Sequence, residues 1–194
     1  MIRAGAFVVL ATAAGVVQAA SVTDTPATEV FVQTCMAHHF NPAELYEQMR
    51  RAHALVLEGE AAATFLTGLP GKAWSVEEAG THLVVAQRND GVCAVFAKRA
   101  EVAKVEAAFA ALVGRPPAPI VATQMDGASF GPVDDQLRTV AWGWGASGQI
   151  PGLVFALTTS RADDPTVAAM ISLASARRRS APGTEPASAA EVTP

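Results

Sequence analysis

Two strand-like segments joined by a tight-turn tripeptide constrain this chain more than any other feature. Residues 81–88 (THLVVAQR) and 92–98 (VCAVFAK) are rich in β-branched and apolar side chains, and Asn89-Asp90-Gly91 separates them. The Asp-Gly step supplies the positive φ angles that a hairpin turn needs. Two antiparallel strands are therefore predicted here, so the fold must contain an antiparallel sheet.

The rest of the pattern places helices and further strands around this hairpin. A helix start is indicated by Asn41-Pro42-Ala43-Glu44, with Asn as the N-cap and Pro at the first helical position. Helical spacing of apolar residues occurs at Phe31, Cys35 and His38; at Leu45, Met49, Ala52 and Val56; at Val102, Val105, Phe109 and Leu112; and at Val167, Met170, Ile171 and Ala174. A short apolar stretch covers 61–66, Trp74 is expected on a short strand, and further strands are predicted at 120–125, 137–145 and 153–160.

This order of elements predicts an α+β fold. It reads α-α-β-β-α-β-β-β-α, with hairpin links outnumbering crossovers. The natural packing is an antiparallel sheet of about five strands covered on one face by helices.

Both ends of the chain differ from its centre. Arg3 precedes an uncharged apolar run at 6–17, and Val17-Gln18-Ala19 has the small residues of a signal-peptidase site. Residues 1–19 are therefore predicted to be a cleaved signal peptide, since twelve apolar residues are too short to span a bilayer. A single α+β domain is predicted over 27–176, and the polar, Pro-containing residues 177–194 are predicted to be a disordered tail.

Composition and charge exclude several classes of protein. The net charge of −4 argues against a nucleic-acid partner, because phosphate binding needs a basic face. No uncharged apolar run after residue 19 approaches 18 residues, so no membrane insertion is expected once the signal is removed. The expected location is the periplasm or the exterior.

The two cysteines predict one disulfide. Cys35 lies on the apolar stripe of the first predicted helix and Cys93 lies in the second hairpin strand. In an exported chain this pair favours a Cys35–Cys93 bridge between helix and sheet. The alternative is two buried free thiols.

Motifs for metal, cofactor or catalytic chemistry are weak. His38-His39 and His53 lack metal-site spacing, because adjacent helical residues point about 100° apart, so no metal is expected. Residues 143–148 match G-x-G-x-x-G, but a strand follows where a dinucleotide site needs a helix, so no cofactor is expected. No Gly-x-Ser-x-Gly motif occurs, and no catalytic residue is assigned.

Trp142-Gly143-Trp144 is the most suggestive segment for binding. Residues i and i+2 of a strand point to the same face, so the two indoles should lie side by side. They are a candidate binding platform for a ligand or partner. The alternative is that both rings are buried beneath the helices.

Several segments together resemble a known family. They are Phe31 to Cys35, Trp74, Asp90 to Phe96, Trp142, Leu157 to Ser160 and Ala168 to Met170. The chain resembles, over roughly 30–175, a family of small exported proteobacterial proteins of unknown function, some of them described as lipoproteins. It lacks the lipoprotein cysteine, and the resemblance implies no catalytic residues.

The leading hypothesis is a non-enzymatic periplasmic protein that binds a partner protein. A toxin-neutralising, immunity-type role is one concrete form of it. The first alternative is a small envelope hydrolase whose site assembles in three dimensions, with His82 the first histidine to test. The second is an envelope-assembly factor that pairs a sheet edge with a partner peptide.

Overall fold

The computed structural model describes residues 25–129, 136–163 and 165–176. Within them, four α-helices cover Pro26–Phe31 (α1), Pro42–Arg51 (α2), Gly59–Leu66 (α3) and Val102–Val113 (α4). A π-helix at Val32–Met36 continues α1, and a 3₁₀ turn covers Gly127–Ser129. The strands are Leu55–Leu57 (β1), Gly71–Glu78 (β2), Thr81–Arg88 (β3), Cys93–Ala97 (β4), Val121–Met125 (β5), Leu137–Gly145 (β6), Leu153–Ser160 (β7) and Ala169–Ser175 (β8).

All eight strands form one antiparallel sheet. The spatial order is β1-β2-β3-β4-β8-β7-β6-β5. The last strand of the described residues, β8, therefore lies in the centre of the sheet, between β4 and β7. The prediction of a mixed α+β fold with an antiparallel sheet is confirmed, but the predicted strand number and element order are wrong.

The segment predicted as the last helix forms the central strand β8. Its side chains alternate, with Ile171 and Leu173 in the main core and Met170 directed to the opposite face. A central strand that is covered on both faces has apolar side chains on both faces. Its sequence therefore lacks the alternation of apolar and polar residues and resembles a buried helix.

Three other predictions for the N-terminal half need correction. The helix predicted from Asn41 to Val56 ends at Arg51, because His53 takes a left-handed conformation at φ 51° and turns the chain into β1. Trp74 lies on the eight-residue strand β2, not on a short one. The side chain of Asn41 donates to Glu44 Oε1 at 2.8 Å and does not cap the helix.

The core on the first face of the sheet contains the largest buried side chains. Helices α1, α2 and α4 pack there against strand residues that include Val85, Val95 and Leu157. A second, smaller cluster on the other face contains Phe65 and Leu66 of α3. The expectation that helices cover only one face is therefore wrong, since α3 covers part of the second.

The predicted disulfide is confirmed. Cys35 of the π-helix is bonded to Cys93 of β4, 58 residues away, with the two Cα atoms 5.4 Å apart. Both cysteines are buried. The bond joins the helical layer to the sheet at the centre of the core.

The predicted signal peptide at 1–19 and the predicted tail at 177–194 lie outside the described residues. Within the described part of the chain, no helix is long and apolar enough to cross a membrane.

Candidate functional site

The two tryptophans predicted as a binding platform lie on the helix-covered face of β6. Both are half-buried and pack against the main core. The indole Nε1 of Trp144 donates a 2.7 Å hydrogen bond to the main-chain oxygen of Val113, at the end of α4. The Trp144 ring also lies 4.5 Å, between centroids, from the ring of Phe155. These contacts hold Trp144 rigidly between α4 and the sheet.

One edge of Trp144 reaches a cavity of about 780 Å³ at the end of the sheet. Four strands meet there, because β6 ends at Gly145, β8 ends at Ser175, β5 begins at Val121 and β7 begins at Leu153. We call the apolar part of the cavity lining the end surface. It consists of Phe40, Ile120, Trp144, Ile150, Pro151 and Leu153.

Two members of the end surface are almost fully exposed. The exposed fraction is 84% for Phe40 and 82% for Ile150, the two highest values among the exposed large apolar residues of the described chain. They come from segments far apart in sequence, the turn before α2 and the loop between β6 and β7. The fold therefore brings two exposed apolar side chains to one cavity.

Neighbouring contacts hold the turn that carries Phe40. The His39 ring stacks edge-on against Phe40, with centroids 4.9 Å apart, and His39 Nε2 lies 2.9 Å from Ser175 Oγ on β8. Burial lowers the pKa of His39 below its ordinary value of 6.5. The neutral imidazole therefore connects the turn to the sheet.

The loop that carries Ile150 is packed closely on the end of β6. A Cβ atom at Gly143 would overlap the ring of Pro151, and one at Gly145 would lie 3.0 Å from Pro151 Cα. Gly143 therefore leaves room for the Pro151 ring, and Gly145 allows the two backbones to approach closely. The segment that matches G-x-G-x-x-G is thus a strand end and a hairpin loop.

Two observations on the described residues concern the metal and hydrolase hypotheses. No three His, Cys, Asp or Glu side chains in the described ranges lie close enough to hold a metal ion. His82 Nδ1 lies 3.8 Å from Glu77 Oε2, and both side chains are mostly in solvent. His82 and Glu77 are paired on β3 and β2, and neither lines the cavity at the end surface.

Phe40 and Ile150 were not among the residues predicted for the site. Each is a large apolar residue inside a segment with turn chemistry: Phe40 directly precedes the helix start, and Ile150 follows Gly148-Gln149. That mismatch is the signal that could have identified them. Their meeting at one cavity depends on the position of β8 and could not be read from spacing.

Comparisons with known proteins add no assignment. The chain matches no family model, no curated protein and no solved structure. The resemblance to small exported proteobacterial proteins therefore stays a prediction.

Proposed function

We propose that this protein is an exported, non-enzymatic protein that binds a partner protein through the end surface. The observation that carries the proposal is the exposure of Phe40 and Ile150 beside one cavity. Large apolar side chains gathered at a solvent-exposed cavity are typical of interaction sites. An immunity-type role, in which the partner is a toxin, is one concrete form.

The rigid base of the end surface supports this role. Trp144 is anchored to Val113 and packed on Phe155, so it loses little conformational freedom when a partner binds. Pre-ordered aromatic residues beside exposed apolar ones are a common composition of binding hot spots. The platform predicted for Trp142 and Trp144 is revised in this proposal to Trp144 with Phe40 and Ile150.

The disulfide supports the proposed export. A buried bond that joins two layers of the core persists in oxidising compartments such as the periplasm. The periplasmic or secreted location, and the cleavage after Ala19, belong to the proposal.

The proposal is tested by affinity capture from an envelope extract with the purified protein. The test variant combines Phe40→Ser and Ile150→Ser, and the matched control is Leu55→Ser, which alters a 68% exposed leucine on β1 at the opposite edge of the sheet. We expect one partner, identified by mass spectrometry, that binds the wild type and the control equally. Its affinity for the double variant should fall at least about tenfold. Equal binding to all three proteins would overturn the proposal.

The assembly-factor alternative is favoured by one further observation. Strand β5 is an edge of the sheet, Val121 is 42% exposed, and the preceding Ile120 belongs to the end surface. A partner strand could add to β5 by main-chain hydrogen bonds while its side chains contact the end surface. The bond from Arg161 N to Gln136 O turns the even-numbered residues of β6 toward β7, so Gln124, which pairs with Trp142, presents its main-chain N–H to the free edge. Gln124→Pro would block such pairing, since proline cannot donate a main-chain hydrogen bond, but would leave binding by a globular partner in place.

A further inference from the structure

One imidazole joins the turn that carries Phe40 to the sheet. His39 Nε2 lies 2.9 Å from Ser175 Oγ on β8, and the His39 ring packs edge-on against the ring of Phe40. The backbone of the turn is closed by a 2.9 Å hydrogen bond from the N–H of Asn41 to the main-chain oxygen of His38. The position of one exposed apolar side chain of the end surface therefore depends on the state of His39.

The other nitrogen of the His39 ring favours the neutral form. Its Nδ1 atom is buried and has no hydrogen-bond partner among the described residues. A neutral ring fits this position when its single proton lies on Nε2 and is donated to Ser175 Oγ. An imidazolium carries a proton on both nitrogens, so its Nδ1–H would be buried without an acceptor, which is unfavourable.

The acid nearest in sequence, Glu44 of α2, is bonded to other groups. Asn41 Nδ2 donates to Glu44 Oε1 at 2.8 Å, and His38 Nδ1 lies 3.5 Å from Glu44 Oε2. A protonated His38 therefore meets a carboxylate. Within the described part of the chain, His39 forms no ion pair that would offset its own protonation.

The other segments at this end of the sheet supply no negative charge. Strand β8 and residues 146–152 contain no charged side chain. Arg177 to Arg179, which follow β8 in sequence, lie outside the described residues, and any of these positive charges near His39 would oppose its protonation further. Burial lowers the pKa of His39, in agreement with this geometry.

We propose that the contact between His39 and Ser175 is a pH switch of the end surface: the neutral ring holds Phe40 in place, and protonation releases the turn. The released ring is solvated and takes up a proton more readily than the closed ring, so acid shifts the equilibrium towards release. The regulatory part of this proposal rests on the proposed function, since it predicts weaker partner binding in acid.

Amide hydrogen exchange measured by NMR tests the switch without a partner. The N–H of Asn41 reports on the turn, and the N–H of Gly152, which donates to Trp144 O at 2.8 Å, is the control on the facing loop. Between about pH 7.5 and about pH 5.0 the protection factor of Asn41, corrected for the intrinsic exchange rate, should fall at least about threefold. That of Gly152 should stay constant. Constant protection of Asn41 would overturn the proposal.

Two variants assign the effect to one ring. His39→Gln removes the titrating group, so the protection of Asn41 should be the same at both pH values. His38→Gln is the matched control, and it should keep the decrease seen in the wild type. A decrease in His39→Gln equal to that of the wild type would show that another group causes it and would overturn the proposal.

The regulatory part is tested with the purified partner identified in the capture experiment. From about pH 7.5 to about pH 5.0, the wild type should lose at least about threefold more affinity for this partner than His39→Gln. Equal losses in the two proteins would overturn regulation by His39. Failure to capture any partner would refute the proposed function, whereas the exchange of the Asn41 amide would still decide whether the switch exists.

Discussion

The indole Nε1 of Trp144 donates a 2.7 Å hydrogen bond to the main-chain oxygen of Val113, which joins the end of α4 to strand β6. Val113 is fully buried, so its carbonyl oxygen depends on this protein donor. The same tryptophan forms one wall of the end surface. Trp144 therefore contributes both to the stability of the fold and to the proposed binding surface.

Removing that donor should destabilise the fold. Trp144→Phe keeps an aromatic ring but leaves the carbonyl oxygen of Val113 without its partner, at a cost of roughly 1–3 kcal/mol. Trp142→Phe is the matched control, since Trp142 is half-buried on the same face without a described indole hydrogen bond. Urea unfolding of both variants measures the difference. Equal losses in the two variants would show that the hydrogen bond contributes nothing of its own.

The disulfide should contribute a large part of the stability. It closes a separation of 58 residues, for which the chain-entropy model gives about 4 kcal/mol. Urea unfolding of the wild type with and without reductant measures the loss. The Cys35→Ala, Cys93→Ala double variant should match the reduced wild type and should not respond to reductant. A wild-type midpoint that is unchanged by reductant would contradict this prediction.

The close contact between β6 and its hairpin loop predicts a coupled effect. Gly143→Ala should destabilise the protein by about 1–3 kcal/mol, because the new methyl group overlaps the Pro151 ring. Pro151→Gly in the same chain should relieve part of that loss. Gly152→Ala is the control, since its Cβ would meet only Trp144 O, at 4.0 Å. Thermal unfolding of the wild type, the Gly152→Ala control, the two single variants Gly143→Ala and Pro151→Gly, and their double variant tests the coupling. Additive effects of the two substitutions would disprove it.

The lowered pKa of His39 predicts a dependence of stability on pH. Above about pH 6.5 the imidazole is neutral in both the folded and the unfolded chain. Below that value the unfolded chain binds the proton first, so the free energy of unfolding falls until the pH reaches the lower folded pKa. Urea unfolding at about pH 7.5 and about pH 5.5 should show a smaller decrease in His39→Gln than in the wild type. An identical decrease in the free energy of unfolding of both proteins would show that His39 is not its cause.

Local chemistry made part of the fold predictable. The hairpin around Asp90-Gly91, helix α4 and the strands β6 and β7 were correctly predicted, because alternation, helical spacing and turn residues all agree there. The strand β8 was not predictable in this way, since burial on both faces removes its alternation. The end of α2 at His53 depends on a left-handed residue that the apolar spacing through Val56 conceals.

The candidate site was less predictable than the fold. The spacing of Trp142 and Trp144 placed both rings on one face, but it could not show that Trp144 alone reaches the end surface. The exposure of Phe40 and Ile150 arises from tertiary packing.

Site-specific photocrosslinking in living cells tests partner binding at the end surface. A photoreactive phenylalanine analogue is placed at position 150 in one variant and at position 55, on the opposite edge of the sheet, in another. We predict a discrete adduct with one other protein from position 150, lost when Phe40→Ser is added, and none from position 55. No adduct from position 150, or the same adduct from both positions, would contradict binding at the end surface.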